Sequence, residues 1–326
     1  MGSRQTAIGQ ACGKAILIGE HFVVFGGTAL AFPVLAARLQ VTLKASERAR
    51  NRVWLEADHE DSRRLLEACR RGLKEITGGR RYRLDLSVAG NLDAGAGLGA
   101  SAAFSVAFAR AFLALDGRED EDLVAQTAFE MERAFHGHPS GIDSTTVAFE
   151  VPCYLKTGER FVNGAEVGAS AGFLEIAPGA VFLLADTGER RRTSEAVSTI
   201  KAFAETVRGG KIISKLVDIS ETIALQTAAA MQDADFEYVG SMMNENHYLL
   251  RALEVSTAKL ERLRLGALGA GALGAKLTGA GHGGYLLALC WPDNVDNVAE
   301  ALRNRGATNI ICQTTAELAE LSQTAD

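Results

Sequence analysis

Between Asn91 and Phe108 the chain reads NLDAGAGLGASAAFSVAF, with three glycines (Gly95, Gly97, Gly99) followed by a small-residue stretch that opens at Ser101. Glycine takes up positive φ readily and has no Cβ to hold a ligand away from the backbone. A helix beginning near Ser101 points its unpaired N–H groups and its positive dipole end back at such a loop. Together they bind anions, phosphate above all. A tight turn with close helix packing explains two of the glycines and leaves one over. The loop is not a Walker loop, because Ala100 and Ser101 follow Gly99 where Lys-Ser/Thr is required. Nor is it the dinucleotide fingerprint GxGxxG, because Ala102 stands in place of the third glycine.

A chain of 326 residues is long enough for two domains and a sizeable core. Its 47% hydrophobic and 23% charged residues are those of an ordinary globular protein. The net charge of −6 carries no basic excess, so nucleic acid is not an expected partner. The basic stretches at Arg63–Lys74 and Arg190–Arg192 are local. Five scattered cysteines without a CxxC read as buried thiols in a reducing compartment. No run reaches the length of a membrane span and no apolar signal core opens the chain. The expected location is cytoplasmic.

Ala15–Val24 is an apolar run interrupted by Gly19-Glu20-His21, with Lys14 just before it. Ionisable residues inside an apolar pattern need a reason. Either the run bulges into solvent, or a strand end carries Glu20 and His21 into a cleft. Strands are expected at Ala29–Val34, Gln40–Ala45, Arg52–Glu56 and Tyr82–Val88, several of them alternating in polarity. Ser62–Thr77 has helical spacing, with Ser62 as N-cap and Gly78 as stop. Glu121–His136 is a second helix, with Val124, Ala128, Met131 and Phe135 on its buried stripe. Glu130 and Glu132 sit in its last turns, where the dipole disfavours carboxylates; a bound cation would offset that at Glu132. In HGHPSGID (His136–Asp143) the spacing fits no zinc site, and Asp143 could equally serve as an N-cap.

Beyond Gly179 a strand at Ala180–Ala185 leads into long helical stretches from Thr193 to about Leu265, with Gly266 as a stop. A second glycine cluster, KLTGAGHGGY (Lys276–Tyr285), runs into a strand at Leu286–Cys290. A helix (Val295–Arg303) and a last strand (Asn309–Thr314) close the chain. This pattern suggests a small α+β second domain, and the composition shift near residue 178 divides the chain into 1–178 and 179–326.

Three separated stretches, GKAILIGEHFVVFGG (Gly13–Gly27), GAGLGASAA (Gly95–Ala103) and KLTGAGHGGY, resemble in order and spacing the signature blocks of the GHMP kinases. ERAFHGHPSGID (Glu132–Asp143) is similar to the mevalonate kinase version of the intervening segment. The resemblance covers essentially the whole chain, with one departure: Ala100 stands where the family has a first serine. It implies an α+β, two-domain GHMP kinase fold. The N-terminal ATP-binding, catalytic domain would be ribosomal-protein-S5-like. The C-terminal domain, ferredoxin-like with added helices, would complete the substrate cleft.

Carried over by motif, Gly95, Ala96, Gly97, Leu98, Gly99, Ala100 and Ser101 hold the phosphates of ATP. Ser101 and Glu132 match magnesium ligands. Asp143 matches the catalytic aspartate and Lys14 its cationic partner. Glu20, His21, Thr193, Ser194, Gly279 and Ala280 fall on the substrate side, His21 being the better candidate for a substrate hydroxyl or carboxylate. The implied reaction is ATP-dependent phosphorylation of the primary hydroxyl of mevalonate, and a homodimer is compatible with it. Arg190, Arg191 and Arg192 leave open a phosphorylated substrate such as phosphomevalonate. The same motifs also admit a kinase of a different small alcohol, a non-catalytic sensor of the same fold and, more remotely, a dinucleotide-dependent oxidoreductase.

Overall fold

The computed structural model describes residues 5–47, 52–55, 62–78, 82–137, 139–157, 170–190 and 193–323. The chain opens on two long paired strands, β1 (Gln5–Ile18) and β2 (Thr28–Glu47), and continues through β3 (Arg52–Leu55), α1 (Ser62–Thr77) and β4 (Tyr82–Gly90). Three helices follow: α2 (Ala100–Leu115), α3 (Glu121–His136) and α4 (Ile142–Phe149). Next come β5 (Cys153–Lys156), β6 (Ser170–Phe173), β7 (Val181–Asp186), α5 (Thr193–Ala204), α6 (Val207–Gln232), α7 (Phe236–Ala252) and α8 (Ala258–Gly269). The chain ends through β8 (Gly274–Thr278), β9 (Tyr285–Cys290), α9 (Val295–Asn304), β10 (Asn309–Thr314) and α10 (Thr315–Gln323). Contacts group the described residues into two compact units, one from Met1–Gly13, Ala37–Asp93 and Gly99–Glu150, the other from Lys14–Ala36, Ala94–Leu98 and Val151–Asp326.

In the first unit β2 pairs antiparallel with β4, Leu39 opposite Gly90, and β3 runs parallel on the far side of β4. The core gathers Phe104, Phe108 and Phe112 of α2, Leu73 of α1, Met131 of α3 and Val41 of β2. A helix as apolar and small as α2 has no polar face to give to water, so it is buried on nearly every side. Helix α3 occupies the span its periodicity predicts, with Asp120 Oδ1 accepting the Leu123 N–H at 2.9 Å as its N-cap.

In the second unit the strand order is β10-β7-β9-β8, with neighbours antiparallel. Strands β7 and β8 are therefore parallel, and the helices α5–α8 make the crossover such a pair requires. This is the βαββαβ pattern of the ferredoxin-like fold with extra helices. The first residues of β2 pair with β5, and Glu221 of α6 fixes that edge, accepting from Thr28 N at 2.7 Å and Lys156 Nζ at 2.8 Å.

Three local readings are corrected. The break expected in β2 between Val34 and Gln40 is absent. Where the strand changes ladder partners, side chains take over the hydrogen bonds: Leu35 N donates to Gln313 Oε1 at 3.0 Å and Arg38 N to Asn91 Oδ1 at 2.7 Å. Gly266 does not stop α8 but lies inside it, because a Cβ there would sit 2.8 Å from Arg305 Cγ, and glycine admits that packing. The chain does not close at Thr314, since α10 follows with its first residue anchored by Ala180 N donating to Thr315 Oγ1 at 3.0 Å. The predicted strand residue Glu56 lies outside the described residues.

Strand β1 approaches α2 so closely at Gly9 that a Cβ would lie 2.0 Å from the Ala107 carbonyl oxygen. Backbone cannot yield as a side chain does, so Gly9→Ala is expected to destabilise the fold by roughly 1–3 kcal/mol. A urea midpoint lowered at unchanged m-value checks this.

Candidate active site

The second unit brings together parts of the three separated sequence blocks, Lys14–Gly27, Gly95–Leu98 and Lys276–Tyr285. Lys14 N donates to Leu98 O at 3.0 Å, tying β1 to the glycine loop. Thr278 Oγ1 donates to Ile16 O at 3.0 Å and accepts from Ile16 N at 2.8 Å, tying β1 to the end of β8. The glycines make the third junction. A Cβ at Gly279 would lie 2.7 Å from Gly97 O, and one at Gly284 would lie 2.5 Å from Ala96 O, so the two loops touch backbone to backbone.

The turn after β1 carries the ionisable residues inward. Gly19 has φ +98°, and a Cβ there would meet Thr28 O at 2.3 Å. Glu20 and His21 follow, both buried, before a single 3₁₀ turn at Phe22–Phe25. His21 is itself left-handed at φ +63°, a strained backbone for a residue with a Cβ and one that concentrates at functional sites. Its Nε2 lies 3.0 Å from Ala280 O, and a carbonyl only accepts, so Nε2 carries the proton and Nδ1 is the acceptor nitrogen. Burial holds the His21 imidazole down at about 4, against the pull of that hydrogen bond.

Beneath this turn Lys276 of β8 donates from Nζ to the Glu20 carboxylate, to Leu277 O at 2.8 Å and to Ile16 O at 3.3 Å. Burial pushes the Glu20 carboxyl up and the Lys276 ammonium down, and each is opposed by the other's charge. His247 of α7 backs the same strand, its Nδ1 accepting from Leu277 N at 3.3 Å and its Nε2–H donating to Glu261 Oε1 at 2.9 Å. That tautomer is neutral, and burial holds His247 at about 4 despite the carboxylate.

In the first unit Gly99, at φ +73°, is the N-cap of α2, and among the described residues no side-chain cap hydrogen bond closes the helix end. Gly95 and Gly97 also have positive φ, at 72° and 88°, so the conformation demands all three glycines of the loop. Ser101 Oγ lies 2.9 Å from His136 Nε2, which joins the first turn of α2 to the last turn of α3. Glu132 stands one helical turn before His136 and so shares its face of α3; it is only 1% exposed. Glu130 is half-buried and paired with Arg133 at 3.1 Å. Asp143 lies in the first turn of α4, where the dipole favours a carboxylate; Gly141 at φ +95° takes the N-cap position, so Asp143 is not the cap.

Of the residues singled out from sequence, Lys14, Glu20, His21, Ala96, Gly97, Leu98, Gly279 and Ala280 thus belong to one cluster of the second unit. Ser101 and Glu132 lie in the first, on α2 and α3. Thr193 and Ser194 open α5. Arg190 donates from two nitrogens to Asp186, both at 2.7 Å, while Arg191, Arg192 and His138 lie outside the described residues. Sequence reasoning gave Lys276 and Thr278 no role of their own within their block, and it weighed His136 only as a zinc ligand. The signal for Lys276 was a lysine inside an apolar strand, the same anomaly that singled out Glu20.

Residues 63–150 match the family described as GHMP kinases N terminal domain, and residues 227–308 match GHMP kinases C terminal. The chain belongs to the GHMP kinases and is an ATP-dependent kinase. It is 31% identical to the mevalonate kinase of Aeropyrum pernix over 92% of this chain and 93% of that protein. The mevalonate kinase of Pyrococcus furiosus is also 31% identical, over 95% and 96% of the two chains. Among solved structures, L. major mevalonate kinase in complex with R-mevalonate matches with a TM-score of 0.76 at 26% identity, over 95% of this chain and 96% of that one.

The two buried histidines make stability pH-dependent with a definite sign. Each is held near 4 in the fold against 6.5 ordinarily, so between these values the unfolded chain binds protons that the folded chain does not. Stability is expected to fall as pH drops through that window, by up to about 1.4 kcal/mol per pH unit for each histidine. Urea midpoints at several pH values check this; in His21→Asn, whose new residue tolerates positive φ, the slope is expected to be shallower by up to about 1.4 kcal/mol per pH unit.

Proposed function

We propose that this kinase transfers the γ-phosphoryl group of ATP to the primary C5 hydroxyl of mevalonate, giving 5-phosphomevalonate. One observation carries the choice of substrate: mevalonate kinases match at 31% identity along nearly the whole chain. The parts of the signature blocks that meet in the second unit support the same reading.

In this reading the loop from Gly95 through Ala96, Gly97, Leu98, Gly99 and Ala100 to Ser101 cradles the ATP phosphates, helped by the uncapped N-terminus of α2. Magnesium takes oxygen ligands and keeps several waters. The Ser101 hydroxyl and the buried Glu132 carboxylate, set on facing helices by the His136 contact, fit it. When bound, the ion neutralises phosphate charge. Phosphoryl transfer otherwise asks for alignment and charge stabilisation. Asp143 orients the attacking hydroxyl and Lys14 stabilises its developing negative charge. His21 offers Nδ1 to a substrate hydroxyl, and Glu20, Gly279, Ala280, Thr193 and Ser194 are assigned to the substrate side by the resemblance of their motifs.

The occupied guanidinium of Arg190 counts against a phosphorylated substrate, and the presence of Lys14, Asp143, Glu132 and Ser101 counts against a non-catalytic sensor. The division into an ATP-binding, catalytic part (1–178) and a part completing the substrate site (179–326) belongs to this proposal, as does a cytoplasmic location. Among the described residues no helix is long and apolar enough to cross a membrane.

Release of ADP with ATP, magnesium and either mevalonate, phosphomevalonate, galactose or homoserine tests the reading; turnover on mevalonate alone is expected, and turnover only on another alcohol contradicts it. Asp143→Ala and Lys14→Met are each expected to lower kcat by about 10²–10⁴ with unfolding midpoints unchanged. Near-normal kcat in either variant contradicts the assigned roles.

A further inference from the structure

Among the described residues β8 pairs with β9 alone, so it is an edge of its sheet. The N–H and C=O groups along such an edge need partners from elsewhere. Here side chains supply them. Asn244 Oδ1 of α7 accepts from Ala275 N at 3.2 Å, and Arg264 Nε of α8 donates to Ala275 O at 2.9 Å. His247 Nδ1 accepts from Leu277 N at 3.3 Å, at the end of β8 that leads into the turn Gly279–Gly281.

The far end of that turn is held by the segment joining α7 to α8. His282 N donates to Val255 O at 2.6 Å, and a Cβ on Gly281, at φ +79°, would lie 2.4 Å from the same oxygen. Glu261 links the two ends: its Oε1 accepts from His247 Nε2 at 2.9 Å and from the Ser256 hydroxyl at 2.6 Å. A continuous path therefore runs from Leu277 through His247, Glu261, Ser256 and Val255 to His282, and it brackets Gly279, Ala280 and Gly281. Gly279 is the residue in close contact with Gly97, and Ala280 O accepts the His21 Nε2–H. Stability alone does not ask for this path, because a wholly buried polar ring such as His247 costs more to desolvate than an apolar one.

We propose that His247 and Glu261 are positioning residues: with Ser256 they clamp the Gly279–Gly281 turn at both ends, and so fix the Ala280 carbonyl that orients His21 toward the substrate. One ring form serves, with Nδ1 accepting from Leu277 and Nε2 donating to Glu261. This inference rests on the role given to His21 above.

The test measures kcat/KM for mevalonate at saturating ATP, unfolding midpoints and amide hydrogen exchange in His247→Asn, Ser256→Ala, their double variant and Ser256→Thr. Asparagine keeps an acceptor near the Nδ1 position and is too short to reach Glu261. His247→Asn and Ser256→Ala are each expected to lower kcat/KM by about three- to tenfold. Both break the same path, so the double variant should fall no more than about twofold below His247→Asn. Ser256→Thr keeps the hydroxyl and should return kcat/KM to within about twofold of the parent, a rescue that lost packing does not give. Exchange at Ala280, Gly281 and His282 should quicken about tenfold in Ser256→Ala while the β9 amides stay protected. Ser256 is only half-buried, so its variants decide the matter even where His247→Asn folds poorly.

Losses that multiply in the double variant, parental kcat/KM in Ser256→Ala, Ser256→Thr as slow as Ser256→Ala, or unchanged exchange in the turn overturns the inference. Parental kcat/KM in His21→Ala, or no turnover of mevalonate by the parent enzyme, instead overturns the reading on which it rests. The exchange measurement needs no substrate, so the two failures are distinguishable.

Discussion

The buried ion pair between Lys276 and Glu20 is the constraint on which the second unit's cluster depends. Neither charge is tolerable alone in a dry interior, so each fixes where the other must be. The satisfied ammonium holds β8 to the end of β1, and the Thr278 hydroxyl repeats that connection two residues further on. With those strands joined, the loops that follow them are brought together. His21 reaches Ala280, and the third-block glycines close on the loop at Ala96 and Gly97. Such a pair adds little net stability compared with an apolar substitute; what it supplies is a single arrangement of three backbone segments.

The backbone of the site was legible in sequence where it depends on local demands. Gly95, Gly97 and Gly99 announced a left-handed, ligand-approachable loop, and each has the positive φ that makes glycine necessary. Helix α3 was legible because its apolar residues recur at helical spacing between Asp120 and Gly137. Glu20 and His21 were conspicuous as ionisable residues in an apolar run, and the structure buries both.

What stayed hidden depends on partners distant in the chain. Lys276 and Glu20 are 256 residues apart, so each was an anomaly whose cause could not be seen from its own surroundings. The spacing around His136 fits no zinc site and left it without a partner in sequence; the fold sets it against Ser101. Gly266 follows the rule for a helix stop, yet close packing against Arg305 decides its place inside α8. The continuity of β2 is likewise a tertiary effect, since Gln313 and Asn91 hold the backbone where ladder bonds change hands.

The central claim is that the phosphoryl group goes to the primary hydroxyl of mevalonate. The proton-coupled phosphorus spectrum of the product formed from ATP and mevalonate tests it most directly. A phosphate on C5 couples to the two protons of the adjacent methylene, and the account predicts that triplet. A resonance without this coupling, as from a phosphate on the tertiary C3 hydroxyl, would contradict it.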